Sequence, residues 1–268
     1  MYVTLDELCG CEVHCSDGRL GKVQDLVLSR SAWRMRYAVV NLGPELENAR
    51  VLLRLTETEQ ADVWRHRLST SLTRRQLEWA PPYDAARSLT RRQEALLAKR
   101  CGWPPEWLLE APHAEPVPVP LDSKRPVTDT EHTLEQMLCD EPETQSASRM
   151  IAAFTAFTSD RQVASVETLI VNTENWQIPC LVLTLAAAPR PVMLSARNVE
   201  AIDWLHKHIY LAETAEQIRR KPKYNQQAAA RFDAIRRLTA SSAEAAASAL
   251  LNTPPGDRLT EAACAAQT

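Results

Sequence analysis

Asp17-Gly18-Arg19-Leu20-Gly21-Lys22-Val23-Gln24-Asp25-Leu26-Val27-Leu28, followed shortly by Trp33-Arg34-Met35-Arg36-Tyr37-Ala38-Val39-Val40, is the stretch that decides the fold class. Asp17-Gly18 is a two-residue hairpin signal, because glycine takes positive φ without steric penalty. It joins a short strand at Glu12-Val13-His14-Cys15-Ser16 to a longer one at Leu20 to Leu28. Trp33 to Tyr37 alternates apolar and basic residues, the period of a half-buried strand. Ala38-Val39-Val40 loses that alternation, as a strand does where it runs deeper into a core. Arg50-Val51-Leu52-Leu53 reads as a fourth strand and Val63 to Leu72 as a fifth. Thr73-Arg74-Arg75-Gln76 then matches a capping box, in which hydroxyl and amide cover free backbone N–H groups at a helix start. Pro81-Pro82 stops that helix, Leu89 to Arg100 forms another, and Cys101 to Trp107 is a stiff aromatic turn.

The same pattern returns further along the chain. With an offset of 143, Asp17, Val23, Leu26 and Trp33 fall on Asp160, Val166, Leu169 and Trp176. With an offset of 141, Val51-Leu52-Leu53 falls on Val192-Met193-Leu194, and Thr73, Gln76 and Tyr83 fall on Thr214, Gln217 and Tyr224. The change of two is a loop deletion, which surface connections absorb readily. The second copy diverges at its first hairpin, where Arg161 and Ala164 replace Gly18 and Gly21. Pro179 replaces Arg36 and removes a ladder donor, which predicts a sheet edge or bulge there.

Between the copies, residues 111–148 carry two basic and eight acidic side chains and six prolines, the composition of a semi-stiff spacer. Residues 226–251 are Ala-rich, with Phe232, Ile235 and Leu238 along one helical face. This gives a first domain at 1–110, a linker at 111–148, a second domain at 149–225, and a helix with a polar tail at 226–268. The 268 residues are 45% hydrophobic and 24% charged, with a net charge of −3, which is not the balance of a dedicated nucleic-acid binder. No apolar run approaches a bilayer span, and acidic residues stand near Met1 where a signal peptide would be basic. Together with seven scattered cysteines, this predicts a cytoplasmic chain with reduced thiols.

At this point a family resemblance emerges. Gly10-x-x-Val13-x-x-x-Asp17-Gly18-x-Leu20-Gly21-Lys22-Val23-x-Asp25-Leu26-Val27-Leu28, with Trp33-x-Met35-Arg36-Tyr37-x-Val39-Val40, resembles the opening of the PRC-barrel family. That family includes the cytoplasmic domain of the photosynthetic reaction centre H subunit and the C-terminal domain of a ribosome maturation factor. The trailing Leu72-Thr73-x-x-Gln76-Leu77-x-x-Ala80-Pro81-x-Tyr83-Asp84 and Gly102-Trp103-Pro104 resemble bacterial proteins with two such domains in tandem. The resemblance spans about residues 5–107 and 150–225. It implies a mainly β chain with appended helices: two small antiparallel β-barrels in tandem, plus a C-terminal helix. Pseudo-symmetric packing of the barrels, or self-association, is a further expectation.

Several residues are candidates for chemistry. Cys9, Cys11, His14 and Cys15 are soft metal donors at close spacing, although Cys9, Cys11, Val13 and Cys15 share one face of an extended chain, where cysteine acts as a small hydrophobe. His206-x-His208 on a predicted strand reads as a surface pair. Arg74, Arg75, Arg91 and Arg92 offer a phosphate-facing set, against the alternative of an ordinary solvated helix face with interleaved acids. Trp103 and Trp107 offer a peptide-docking patch, unless the turn folds back on its own barrel. No GxGxxG, Walker, GxSxG, HExxH or kinase motif is present, and Asp25 becomes Thr168 in the second copy, so neither a cofactor nor catalysis is expected.

The resemblance implies a non-catalytic adaptor or assembly protein that holds partner proteins, a membrane-bound complex among them, without inserting into the membrane itself. Two alternatives stay open. One is a ribosome- or RNA-associated maturation factor using the arginines; the other is a thiol or metal-binding protein using the cysteine cluster.

Overall fold

A computed structural model describes residues 1–46, 49–78, 80, 82–84, 88–103, 119–120, 142–225 and 235. The chain is mainly β and forms two sheets, one from each copy of the repeat. The first contains β2 (Glu12–Cys15), β3 (Gly18–Ser29), β4 (Met35–Asn41), β5 (Arg50–Arg54), β6 (Thr58–Asp62) and β7 (Arg67–Thr70), in the order β5-β4-β3-β2-β7-β6. The second contains β10 (Thr155–Phe157), β11 (Val163–Asn172), β12 (Cys180–Leu185), β13 (Ala188–Ser195), β14 (Val199–Asp203) and β15 (His208–Leu211), in the equivalent order β13-β12-β11-β10-β15-β14. Each path has two ends: among the described residues, neither β5 with β6 nor β13 with β14 closes a ring.

Each sheet also takes a strand from outside its own copy. β1 (Tyr2–Thr4) pairs with β11 of the second sheet, and β9 (Thr144–Ser146) pairs with β3 of the first. The registers are images of one another. Thr4 faces Ile170, Val3 faces Val171 and Tyr2 faces Asn172, while Ser146 faces Val27, Gln145 faces Leu28 and Thr144 faces Ser29. Both crossing strands end in a hydroxyl residue that caps the next helix. Thr4 Oγ1 accepts from Glu7 N–H at 3.3 Å to start α1 (Leu5–Leu8). Ser146 Oγ accepts from Arg149 N–H at 3.2 Å.

A pseudo-twofold axis runs between Arg34 and Gln177, equivalent residues that bridge each other. On either side, Met35 N–H donates to Trp176 O at 2.8 Å and Ile178 N–H donates to Trp33 O at 2.9 Å. Trp33 and Trp176 sit at φ 46° and 60°. A tryptophan disfavours that left-handed region by about 1–2 kcal/mol, which burial of the indoles offsets. One continuous apolar core runs under both sheets, from Leu26, Leu28 and Leu53 to Leu169, Leu181 and Leu194.

α2 (Arg74–Glu78) follows β7, α3 (Arg91–Cys101) follows it, α4 (Ala147–Ala153) lies between β9 and β10, and α5 (Ala215–Arg219) follows β15. α2 and α5 begin with the same capping box, Thr73 with Gln76 and Thr214 with Gln217. The helix starts are held by equivalent acids: Asp17 Oδ1 accepts from Arg74 N–H at 2.7 Å, and Asp160 Oδ1 from Ala215 N–H at 2.9 Å. Those contacts give the two aspartates a structural role in both copies.

Several local expectations need correction. Val63 to Leu72 is not one strand; a 3-10 turn at Val63–Arg65 precedes β7, and β6 lies upstream of the expected position. The second domain, expected from 149, opens on a helix rather than a strand, because α4 runs to Ala153. The last residues of the acidic stretch, from Pro142 to Ser148, supply β9 and the start of α4. The two-residue loop of the first hairpin is Ser16-Asp17, since Cys15 pairs with Gly18. Its counterpart, where Phe157 pairs with Val163, is a five-residue loop with Arg161 at φ 60°. At Gly21 a Cβ would collide with the Asn41 carbonyl, so the first sheet needs glycine where the second carries Ala164. Pro179 precedes β12 and donates to no ladder.

Candidate partner-binding groove

The strands β4 and β5 and the second half of β3 are buried on both faces, which is why their sequence loses alternation. Leu26, Ala38 and Leu53 point to the shared core, while Val27, Tyr37, Val39 and Leu52 point outward under Tyr83 and Leu97. α3 covers this outer face. Its start is fixed by Thr90, whose side chain accepts from Gln93 N–H at 3.2 Å, and its end by Gly102 at φ 73°.

A buried ion pair locks α3 to the sheet. Arg36 Nη1 donates to Glu94 Oε2 at 3.0 Å with both side chains at 0% exposure, and Tyr37 Oη donates to Glu94 Oε1 at 2.6 Å. Desolvating two charges is tolerable only with such complete hydrogen bonding, and the geometry it demands leaves α3 little freedom to shift. Beside α3 the outer face stays open as a groove of about 380 Å3, floored by Leu52, Tyr83 and Leu97. Leu96 stands in it at 59% exposure, and Asp84 and Arg100 form opposite charges on its rim. Burial, and next the nearby Asp25 carboxylate, push the Tyr83 phenol up to about 12, so the groove floor stays uncharged at neutral pH.

Neither known protein families nor curated proteins match this chain. What it does must therefore be argued from its own surface.

The expected site residues are scattered around this groove and away from it. Trp103 is half-buried, packs on both the shared core and the outer-face cluster, and donates its backbone N–H to Ala98 O at 2.8 Å. Trp107 lies outside the described residues. Arg74 bonds Glu78 Oε1 at 3.2 Å next to the first hairpin, with Arg75 beside it on α2. Arg91 meets Glu143 Oε1 at 2.8 Å, near the far end of β3, with Arg92 exposed beside it. The four arginines are thus split between opposite ends of a 12-residue strand rather than gathered on one face.

The cysteine cluster is divided as well. Cys11 and Cys15 point into the core, while His14 points to the other face of β2, 3.6 Å from Glu12. Burial, with help from nearby acids, raises Cys9 to about 12 and Cys11 and Cys15 to about 11, so all three are neutral thiols at physiological pH. Among the described residues no group of three His, Cys, Asp or Glu side chains is placed to hold a metal. His206 is not on a strand; it sits in the turn before β15, with Nδ1 2.6 Å from Asp203 Oδ2 and its ring stacked 6.2 Å from His208. No described helix is long and apolar enough to cross a membrane.

Sequence reading missed the groove. Its floor comes from β5, the Tyr83 segment and α3, which meet only through the fold. The one available signal was Leu96, an apolar residue displaced from the face that carries Leu97 and Glu94 inward.

Proposed function

We propose that the protein is a non-catalytic adaptor, built from two PRC-barrel-like modules, that holds partner proteins on module surfaces. The observation that carries this reading is the groove beside α3. It offers an exposed leucine over a preformed apolar floor with one charge of each sign on its rim, the composition of a protein-docking site. The buried Arg36–Glu94 pair holds its wall in place before any partner arrives, which lowers the ordering loss on binding. Carboxylate pairing of Arg74 and Arg91 works against the RNA alternative, and the placement of His14 on the face of β2 away from Cys11 and Cys15 works against the metal alternative.

A photo-crosslinking residue at Leu96 in the full chain, expressed in its native host, tests the reading. The expected result is a discrete crosslinked protein that is lost with Asp84→Arg and retained with Arg75→Ala. Crosslinks to RNA, or none above an exposed control position, count against it.

A further inference from the structure

The two sheets end differently at equivalent edges. In the second sheet, β14 is covered by β8 (Val119–Pro120), which adds in parallel with Val119 opposite Ala201 and Pro120 opposite Ile202. In the first sheet, β6 holds the same position, and among the described residues its outer side pairs with no strand.

The backbone at these two edges is presented alike. β6 pairs with β7 through Thr58–Thr70, Gln60–Ser69, Ala61–Leu68 and Asp62–Arg67. β14 pairs with β15 through Val199–Leu211, Ala201–Tyr210, Ile202–Ile209 and Asp203–His208. One constant shift of 141 converts every pair of the first set into the second, and the irregularity falls at the same step in both. Successive strand residues turn their N–H and C=O groups to opposite sides, so across Gln60 and Ala61 the free side of β6 presents the same alternating groups that β14, across Ala201 and Ile202, presents to Val119–Pro120. An unpaired edge of this kind is a template for another strand.

We propose that β6 is a strand-addition edge that takes an extended, proline-punctuated aliphatic segment of a partner protein, paired in parallel at Gln60 and Ala61. Proline is compatible with this pairing because alternate N–H groups of an added edge strand point away from the sheet. A proline-rich segment is already extended, so little ordering entropy is lost when it docks. A parallel segment would run toward the Val63–Arg65 turn, where Trp64 is 71% exposed and offers a flat face to proline or aliphatic side chains. This chain's own Val119–Pro120 is already paired at β14, which leaves the β6 edge to a partner; Glu57 and Asp62 pair with Arg54 and Arg65, and Glu59 on β6 favours a neutral or basic ligand. The proposal rests on the adaptor reading and deepens it by naming a second surface and the chemistry of its ligand.

The test uses the full-length protein and the synthetic peptide Lys-Lys-Pro-Val-Pro-Val-Pro-Leu-Lys-Lys carrying a fluorescent label. Saturable binding is expected, with hydrogen-exchange protection gained at Thr58–Asp62. Ala61→Pro weakens binding by about tenfold or more, as loss of an edge hydrogen bond and its neighbours predicts. Trp64→Ala, an exposed position whose replacement leaves the fold intact, weakens it severalfold, and Ile202→Pro leaves it unchanged. Absence of saturable binding, sensitivity to Ile202→Pro in place of Ala61→Pro, or no added protection in Thr58–Asp62 beyond that given by β7 would each overturn the proposal. A silent edge alongside an intact Leu96 crosslink removes the edge alone; loss of the crosslink too removes the adaptor.

Discussion

The outer faces of the two sheets are built from equivalent positions, yet they are held by different forces. In the first, Val27, Tyr37, Val39 and Leu52 lie beside the buried Arg36–Glu94 pair. In the second, Ile170, Cys180, Val182 and Met193 pack with Tyr224 and with Ile235, the one described residue of the Ala-rich stretch, which is helical and buried. Pro179 and Cys180 occupy the places of Arg36 and Tyr37, so the ion pair has no counterpart there. A pairwise charge contact fixes one helix in one geometry, whereas apolar packing tolerates repacking. The first face is therefore the better candidate for a preorganised docking wall.

The largest test of that contrast is Glu94→Ala. It removes the carboxylate that the buried Arg36 guanidinium and Tyr37 hydroxyl both bond, and it should destabilise the protein by about 3–5 kcal/mol in chemical denaturation. Arg36→Met combined with Glu94→Leu should recover most of that loss. Recovery of stability without the Leu96 crosslink would show that the ion pair serves the groove's shape rather than the fold.

A smaller effect of opposite sign is expected at one repeat position. Asp25 Oδ2 accepts from the Ser146 and Ser148 hydroxyls at 2.6 and 2.7 Å, and Oδ1 accepts from Ser148 N–H at 3.1 Å, tying β3 to the incoming strand and helix. Its counterpart Thr168 has a buried hydroxyl with no hydrogen-bond partner among the described residues. Asp25→Ala should lower stability by about 1–3 kcal/mol, since it removes the acceptor of the buried Ser146 hydroxyl, while Thr168→Val should be neutral or stabilising. A loss at both positions would mean that Thr168 is satisfied in solution and that the two modules are more alike than they look.

Alkaline titration sharpens the comparison of thiols. Burial raises Cys9 and Cys180 from 9.0 to about 12 and Cys11 and Cys15 to about 11. The native state then holds more protons than the unfolded chain above pH 9, so stability is complete below that value and falls as pH rises toward 12. A thiol reagent at pH 8 should react with the buried Cys11, Cys15 and Cys180 only as fast as the protein opens. Rapid labelling of Cys11 or Cys15 in the native protein would refute their burial and reopen a thiol function.

The smallest expected effects are the matched cap deletions Asp17→Ala and Asp160→Ala. Each removes one acceptor at the start of a short helix and should lower the thermal midpoint slightly and to a similar degree. The Thr158 hydroxyl and the Ala215 N–H hold the Asp160 carboxyl below its ordinary value, so its contribution is present above the usual carboxylate range and fades as pH falls. Unequal losses would show where the repeat has diverged.

Features that depend on near neighbours were legible in the chain itself. The β2–β3 hairpin, the Thr73–Gln76 and Thr214–Gln217 boxes, the buried strands and the tryptophan repeat are all written in turn chemistry, capping and hydrophobic period. Short elements were not. β1 and β9 are three residues each, too few to show a period of two, and His206 fell in a turn that no proline or glycine marks. Distant partners were hidden for a different reason: Asp25 and Ser148 lie 123 residues apart and Arg36 and Glu94 lie 58 apart, and no local pattern couples them. The amino-acid order therefore determined two related sheets and their caps. Tertiary structure alone decided the reciprocal strand exchange, which needs both copies around one core, and the buried ion pair and the groove, which need α3 laid across the first sheet, because each joins residues far apart in the chain.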